Sequence, residues 1–225
     1  MYSPWKPAPK YLHYTPEGYL FILPEDNLDW TVEAMLATGY NEEFCLALDF
    51  SPAFVARLIA AGFLVMSTRL GAPAKGPEYL LLPKLHVERS VLFWEDLRVT
   101  KTAERRCKRY ELRFDTDFDT ILDRCVAVHG SGWLTPPLLE SLRNIRLNDP
   151  SETAQPRLSD PSGTVQTRLA SFGLYRRDGS LAAGEFGSIV KGPGNPGIYT
   201  SYSGYTDEDS AGTVQMALTG RWLRD

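Results

Sequence analysis

Six basic residues and one acid lie between Arg98 and Arg109, in a chain of 225 residues whose formal net charge is −4. Within that run Lys101, Arg105 and Lys108 stand three or four apart with Arg109 adjacent, so a short helix or turn would put all four on one face. Such a face meets phosphates and adds a salt-dependent term to affinity. Its plain alternative is an ordinary solvated surface. Trp133, between a glycine and a helix start, carries a similar choice: it can stack on a nucleobase or fill a core. Other chemistries find less support. The "GPGNPG" run (192–197) lacks the Lys-Ser/Thr of a phosphate loop and reads as a turn. No G-x-S-x-G elbow occurs, and neither His86 nor His129 has a sequence partner for nucleophilic catalysis. Cys45, Cys107 and Cys125 form no C-x-x-C pair, and with only three histidines zinc spacing is missing, so they read as reduced structural thiols. Asp115, Asp117, Asp119 and Asp123 lack the glycine and terminal glutamate of a calcium loop and read as helix-start charges. No metal site is expected from these residues.

The elements that must carry these residues follow from pattern and punctuation. An acidic chain cannot offer its whole surface to a polyanion, so any nucleic-acid contact has to be local. No apolar run approaches the ~18 residues of a membrane span, and "MYSPWKPAPKYLHY" has no apolar leader, so a cytoplasmic protein without a membrane partner is expected. The first ~25 residues read as a proline-rich arm running into the strand "GYLFIL". "LDWTVEAMLATGY" has helical spacing and stops near Gly39. "DFSPAFVARLIAAGF" is a second helix, with Ser51 as cap, Pro52 in its first position and Phe54, Val55, Leu58 and Ile59 on one face. "STRLGAPAKGP" reads as a loop, and "EYLLLPKLHVERSVLF" as two strand-like runs broken by Pro83.

Beyond Leu97 the punctuation is clearer. "YELRFD" alternates like a half-buried strand. Helices are expected over "DTDFDTILDRCVAVHG" and "GWLTPPLLESLRNI", the latter capped by Thr135 with Pro136 in its first turn. Residues 147–166 form a Pro/Ser-rich insertion. A hairpin turns at Asp178-Gly179, followed by the strand "GIYTSYSGY" and a final helix. The fold class expected is α/β with a mixed, largely antiparallel sheet. Its division is a small N-terminal α/β domain (1–95) and a second domain (96–225).

Several of these pieces resemble, in order, the leucyl/phenylalanyl-tRNA–protein transferase family. "DFSPAFVARLIAAGFLVMS" is similar to that family's L-S-P…L…A-Y…G-I-F-P. "ERSVLFWEDLRVTKTAERR" resembles its R-A-V-L…R-S…R segment, and "YELRFDTDFDTILDRCVA" its Y-R-V…F…V-I-x-x-C-A. "SGWLTPPLLESL" resembles G-T-W-I-T, "ASFGLYRRDGSLAAGEFG" resembles H-S-I-E-V-W…L-V-G-G-x-Y-G, and "YTSYS" resembles E-S-M-F-S. The likeness runs from about residue 45 to the chain end, and its colinearity gives it weight.

The resemblance implies a small N-terminal domain beside a GNAT-like (acetyltransferase-like) domain. It also implies an aminoacyltransferase that moves leucine or phenylalanine from tRNA to the N-terminus of an acceptor protein, marking that protein for degradation (the N-degron pathway). The implied partners are aminoacyl-tRNA and an acceptor N-terminus, and no metal or dissociable cofactor is implied. By position, Lys101, Arg105, Lys108 and Arg109 fall in the family's tRNA-facing cluster. Trp133 matches the tryptophan at the terminal adenosine, and Tyr202 and Ser203 match residues beside the aminoacyl pocket. Glu185 stands where the family's pocket carries methionine, which implies a changed role in recognising the acceptor or the aminoacyl α-amine. The family's acid in E-S-M-F-S falls at Tyr199 or Thr200, and "PKLHVE" replaces its tryptophan pair and S-P-D-P. The family's proposed catalytic Asp and Gln would lie past Asp225, so the domain is expected to be C-terminally short and no catalytic residue is assigned. Two alternatives remain open. One is a non-catalytic tRNA- or partner-binding module on the same fold. The other is an acyl-CoA-dependent N-acyltransferase, whose pyrophosphate loop the "RRDGSL" turn matches poorly at Leu181.

Overall fold

A computed structural model of the chain describes residues 12–40, 42–71, 76–147, 165–192 and 197–224. The chain forms two compact units, Met1–Val87 with Ser131–Asn148, and Glu88–Gly130 with Asp149–Asp225. The sequence predicts one cut after residue 95; instead the chain returns to the first unit at 131–148. Most of the expected arm and insertion, and the centre of "GPGNPG", lie outside the described residues.

In the first unit β1 (His13–Tyr14) pairs with β2 (Leu20–Phe21). Helix α1 (Leu28–Thr38) starts where the Asn27 side chain accepts the Trp30 N–H at 3.1 Å, and stops at Gly39, whose φ of 65° suits a residue without a Cβ. Helix α2 (Pro52–Ala60) buries Phe54, Val55, Leu58 and Ile59, as the spacing predicts. Ser51 occupies the cap position but makes no side-chain cap bond. Its N–H donates to Asp49 Oδ1 at 2.6 Å, so the short chain segment before the helix is closed by the aspartate.

Strands β3 (Leu64–Arg69) and β4 (Tyr79–Lys84) form an antiparallel pair. The structure corrects the sequence here twice. Ser67–Arg69 is strand, not loop: Arg69 lies opposite Tyr79, and its guanidinium bridges Glu78 at 2.8 Å. Pro83 lies within β4 rather than breaking it, and its carbonyl accepts the Cys45 N–H at 2.8 Å. Proline needs only to avoid a position where its missing N–H is required. The second run, 86–93, is not a strand.

Helix α5 (Pro136–Leu147) packs on α2 within this unit. Ser67 explains the return. Its N–H and hydroxyl both reach the Trp133 carbonyl, at 3.0 and 2.9 Å, while its oxygen accepts the Thr135 N–H at 3.1 Å. The Ser67 and Thr135 hydroxyls also meet at 2.8 Å, and Ser141 donates to the Phe50 carbonyl.

The second unit opens with a 3-10 turn at Trp94–Asp96 and α3 (Lys101–Cys107), then β5 (Tyr110–Phe114) and α4 (Phe118–His129). After 165 come β6 (Gln166–Arg176), β7 (Leu181–Lys191), β8 (Ile198–Thr206) and α6 (Ala211–Arg224). The four strands form one antiparallel sheet in the order β5-β6-β7-β8. The chain is therefore mixed α/β with antiparallel sheets. The β6–β7 hairpin turns at Asp178-Gly179 as the sequence predicts, with Gly179 at φ 84° and the Ser180 N–H on Asp178 Oδ1 at 2.9 Å.

Alternation along β7 sends successive side chains to opposite faces of the sheet. Towards α4, Phe186 meets Phe118 edge-on at 6.3 Å, and Gly184 leaves so little room that a Cβ would lie 2.9 Å from Ile121. Towards α6, Ala183 joins Leu174, Cys107, Ala211, Val214 and Ala217 in an apolar cluster. Phe172, fully buried, stands under Trp222 at 5.3 Å. Among the described residues no helix is long and apolar enough to cross a membrane.

Candidate functional site

Helix α3 begins at Thr100, whose hydroxyl accepts the Ala103 N–H at 3.2 Å. At 100° per residue Ala103 and Cys107 share one face, and both are buried. Lys101, Arg105, Lys108 and Arg109 fall on the opposite side, and all four are exposed. None of them forms an ion pair with a described acid. The local acid, Glu104, is taken by Arg221 of α6, with Arg221 Nη1 3.3 Å from its Oε1. That bond is the main reason its carboxyl sits below its ordinary range, with a smaller pull from Lys108. Arg106 is likewise committed, to the Ser210 hydroxyl. The structure adds one cation to the set: Arg177, on the β6–β7 turn, donates to the Lys108 carbonyl at 3.5 Å. Sequence reading misses Arg177 because it is remote in the chain; the β5–β6 register, Tyr110 opposite Arg176, brings it there.

The expected pocket residues do not all come together. Trp133 belongs to the first unit, partly buried, where its backbone is held by Ser67. The other three lie in the second unit, on two faces of the sheet. Tyr202 donates its hydroxyl to Ser188 Oγ at 2.6 Å and packs edge-on against Phe186 at 6.1 Å. Burial pushes the Tyr202 phenol up to about 12. Ser203 lies beside the buried Cys125 thiol of α4, which burial raises to about 11. A thiol so disposed is an inert core group. Cys45 and Cys107 are buried free thiols with their acidity lowered in the same way.

Glu185 faces α6 instead. Ser201 donates to its Oε2 at 2.9 Å, and the Thr219 hydroxyl lies beside it, short of good hydrogen-bond geometry. Desolvation raises this carboxyl above its ordinary value, and the two hydroxyls pull the other way. No described cation pairs with it. Tyr199, two residues before Ser201, also faces this side, standing edge-on to Phe172 at 5.3 Å. Its hydroxyl is enclosed and close to Ser201 without bonding it, and burial beside Glu185 raises the phenol well above its usual value. Sequence reading singles out Glu185 but not Ser201 or Thr219. The only available signal is the alternation of β8, and a bulge between Phe186 and Gly187 shifts that register.

The acids at the start of α4 have structural duties. Asp115, in a left-handed conformation at φ 55°, accepts the Ser171 N–H at 2.7 Å and pairs with Arg168. Asp117 accepts the Tyr175 hydroxyl. Comparison with protein-family models and with curated proteins gives no match.

Proposed function

We propose that this chain is an aminoacyl-tRNA–protein transferase, moving leucine, phenylalanine or a related amino acid from tRNA to the N-terminus of an acceptor protein. On this reading the second unit is a GNAT-like domain working in the cytoplasm, and its product is marked for degradation. The observation that carries the proposal is the α3 face. Four exposed cations back onto two buried residues, and the acid of the helix itself, Glu104, is occupied by Arg221. An acidic chain can engage a polyanion through such an edge alone. The colinear resemblance of the sequence supplies the reaction.

The reaction is attack of a neutral amine on an ester. It asks for little covalent chemistry from the protein: holding the tRNA end, seating the aminoacyl group and aligning the amine give most of the rate. The acyl-CoA alternative is weakened by the "RRDGSL" turn, which joins two strands, β6 and β7, and therefore leads into no helix N-terminus for a pyrophosphate.

The test is transfer of labelled leucine from leucyl-tRNA to a peptide with a free N-terminal lysine or arginine. Label in the peptide, abolished by N-acetylation, is expected. A chain that binds leucyl-tRNA yet labels no peptide is a binding module, and the proposal fails.

A further inference from the structure

The α6 face of the second unit holds an unusual combination. Glu185 is a desolvated carboxylate whose hydrogen-bond donor among the described residues is the neutral Ser201 hydroxyl. Three other carboxylates of this unit have a cation: Asp115 has Arg168, Asp207 has Arg124, and Glu208 has Arg176 at 3.0 Å. A buried carboxylate without a positive partner is costly. Beside it the enclosed Tyr199 hydroxyl has no hydrogen-bond partner among the described residues. Buried polar groups are almost always satisfied, so a lone one beside a lone carboxylate points to something the pair is shaped to receive.

We propose that Glu185, Tyr199 and Ser201 form a seat for a primary ammonium group. The stoichiometry fits. Ser201 gives its proton to Oε2, which leaves Oε1 and the Ser201 oxygen as acceptors, while the Tyr199 oxygen is enclosed. A primary ammonium carries three N–H donors, two for these oxygens and one for solvent. Ser201 is exposed and Glu185 only partly buried, so a ligand can reach the carboxylate from solvent. The Tyr199 ring packs edge-on against the buried Phe172, and Trp222 packs over Phe172 and Phe114, the latter stacked at 4.1 Å. Aromatic faces beside a carboxylate favour an organic cation over a hydrated metal ion.

The assignment rests on the transferase reading only for the identity of the ligand. There, two ammonium groups are available: the α-amine of the aminoacyl ester, and the N-terminus of the acceptor before it loses its proton. Either source presents the same chemistry to Glu185.

Binding needs no tRNA and is read separately from transfer. The full chain is titrated with leucinamide, as the aminoacyl mimic, and with an arginyl dipeptide amide, as the acceptor mimic, following backbone amide resonances of 185 and 199–203 by NMR. N-acetyl versions of both are the controls. Saturable shifts at these residues are expected for at least one free amine, with none for its acetylated form. The tighter of the two probes identifies the source. Glu185→Gln is expected to weaken that binding about tenfold or more, as loss of a charge-assisted bond does, and Ser201→Ala by less. Unchanged thermal unfolding of the variants separates loss of the seat from loss of the fold. Equal binding of acetylated and free amines overturns the inference, as does Glu185→Gln leaving the titration unaltered. A chain that binds the amine but transfers nothing leaves the seat standing and removes only the transferase reading.

Discussion

Gly184 and Glu185 are neighbours on β7, yet the two faces of the sheet treat them oppositely. On the α4 side the protein is closed so tightly that Gly184 has no room for a methyl group. Its charges are also answered: Arg124 meets Asp207 and lies over the Tyr205 ring at 4.7 Å, and Arg113 bonds Glu111 at 3.0 Å and lies over the Tyr175 ring at 4.2 Å. On the α6 side, one residue along, a carboxylate has the Ser201 hydroxyl and no cation among the described residues. Helix α3 repeats the contrast, with a buried face of Ala103 and Cys107 and an outer face of cations that pair with no described acid. Satisfied surfaces hold the fold together. The unsatisfied ones, one positive and one negative, are the faces proposed to take ligands of opposite charge.

The largest expected effect comes from removing the wall that supports the open side. Phe172→Ala deletes a fully buried ring beneath Tyr199 and Trp222. It is expected to cost about 3–5 kcal/mol of stability by urea unfolding. A loss below about 1 kcal/mol would show that the aromatic wall is not packed as described.

Next is the outer face of α3. Replacing Lys101, Arg105, Lys108 and Arg109 by alanine is expected to lower the log–log salt slope of tRNA binding by about 3 to 4, at roughly 0.7–0.9 for each phosphate that is no longer neutralised. Stability should hold, because none of the four packs into the core. An unchanged slope would return this face to ordinary solvated surface.

Gly184→Ala tests how closed the other side is. The added methyl meets Ile121 and Tyr205, both at 2.9 Å, so a cost of about 1–3 kcal/mol is expected. A neutral result would erase half of the contrast.

The smallest effect is that of Glu185→Gln on the unliganded protein, and its sign is the informative part. Burial raises the Glu185 carboxyl, so across the pH range just above the ordinary carboxylate value the folded chain holds a proton that the unfolded chain has released. Its contribution to stability is present below that range and lost as pH rises through it. Asp115 with its partner Arg168, Tyr199 and the Cys125 thiol are the neighbouring charged or titratable groups. The glutamine variant should therefore melt a few degrees higher than the natural chain at about pH 8 and no higher at about pH 4, by thermal scans. A lower melting point at the higher pH would mean that the carboxylate already has a cationic partner.

What is legible in the sequence follows from the range of the forces involved. Local punctuation places α2, α4, α5, the Asp178-Gly179 turn and α6, because caps, glycines and helical spacing act within a few residues. The four-stranded sheet is legible as strands but not as an arrangement. Pro83 reads as a breaker, yet a strand tolerates proline where no N–H is needed. The return of α5 to the first unit hangs on Ser67, a hydroxyl 68 residues away from Thr135, which no local pattern reveals. The cationic face of α3 is visible from spacing alone. The Glu185 niche is only half visible, since the β8 bulge decides which hydroxyls face the carboxylate.

The central claim is that the α3 edge brings a charged tRNA to a chain that then passes its amino acid to a protein. The most direct measurement is labelled-leucine transfer from leucyl-tRNA to a peptide with a free amino terminus. It is run side by side for the natural chain and the four-alanine α3 variant at near-physiological salt. Label in the peptide with the natural chain, sharply reduced with the variant and recovered at raised tRNA concentration, is the predicted result. No transfer by the natural chain, or equal transfer by both, would contradict it.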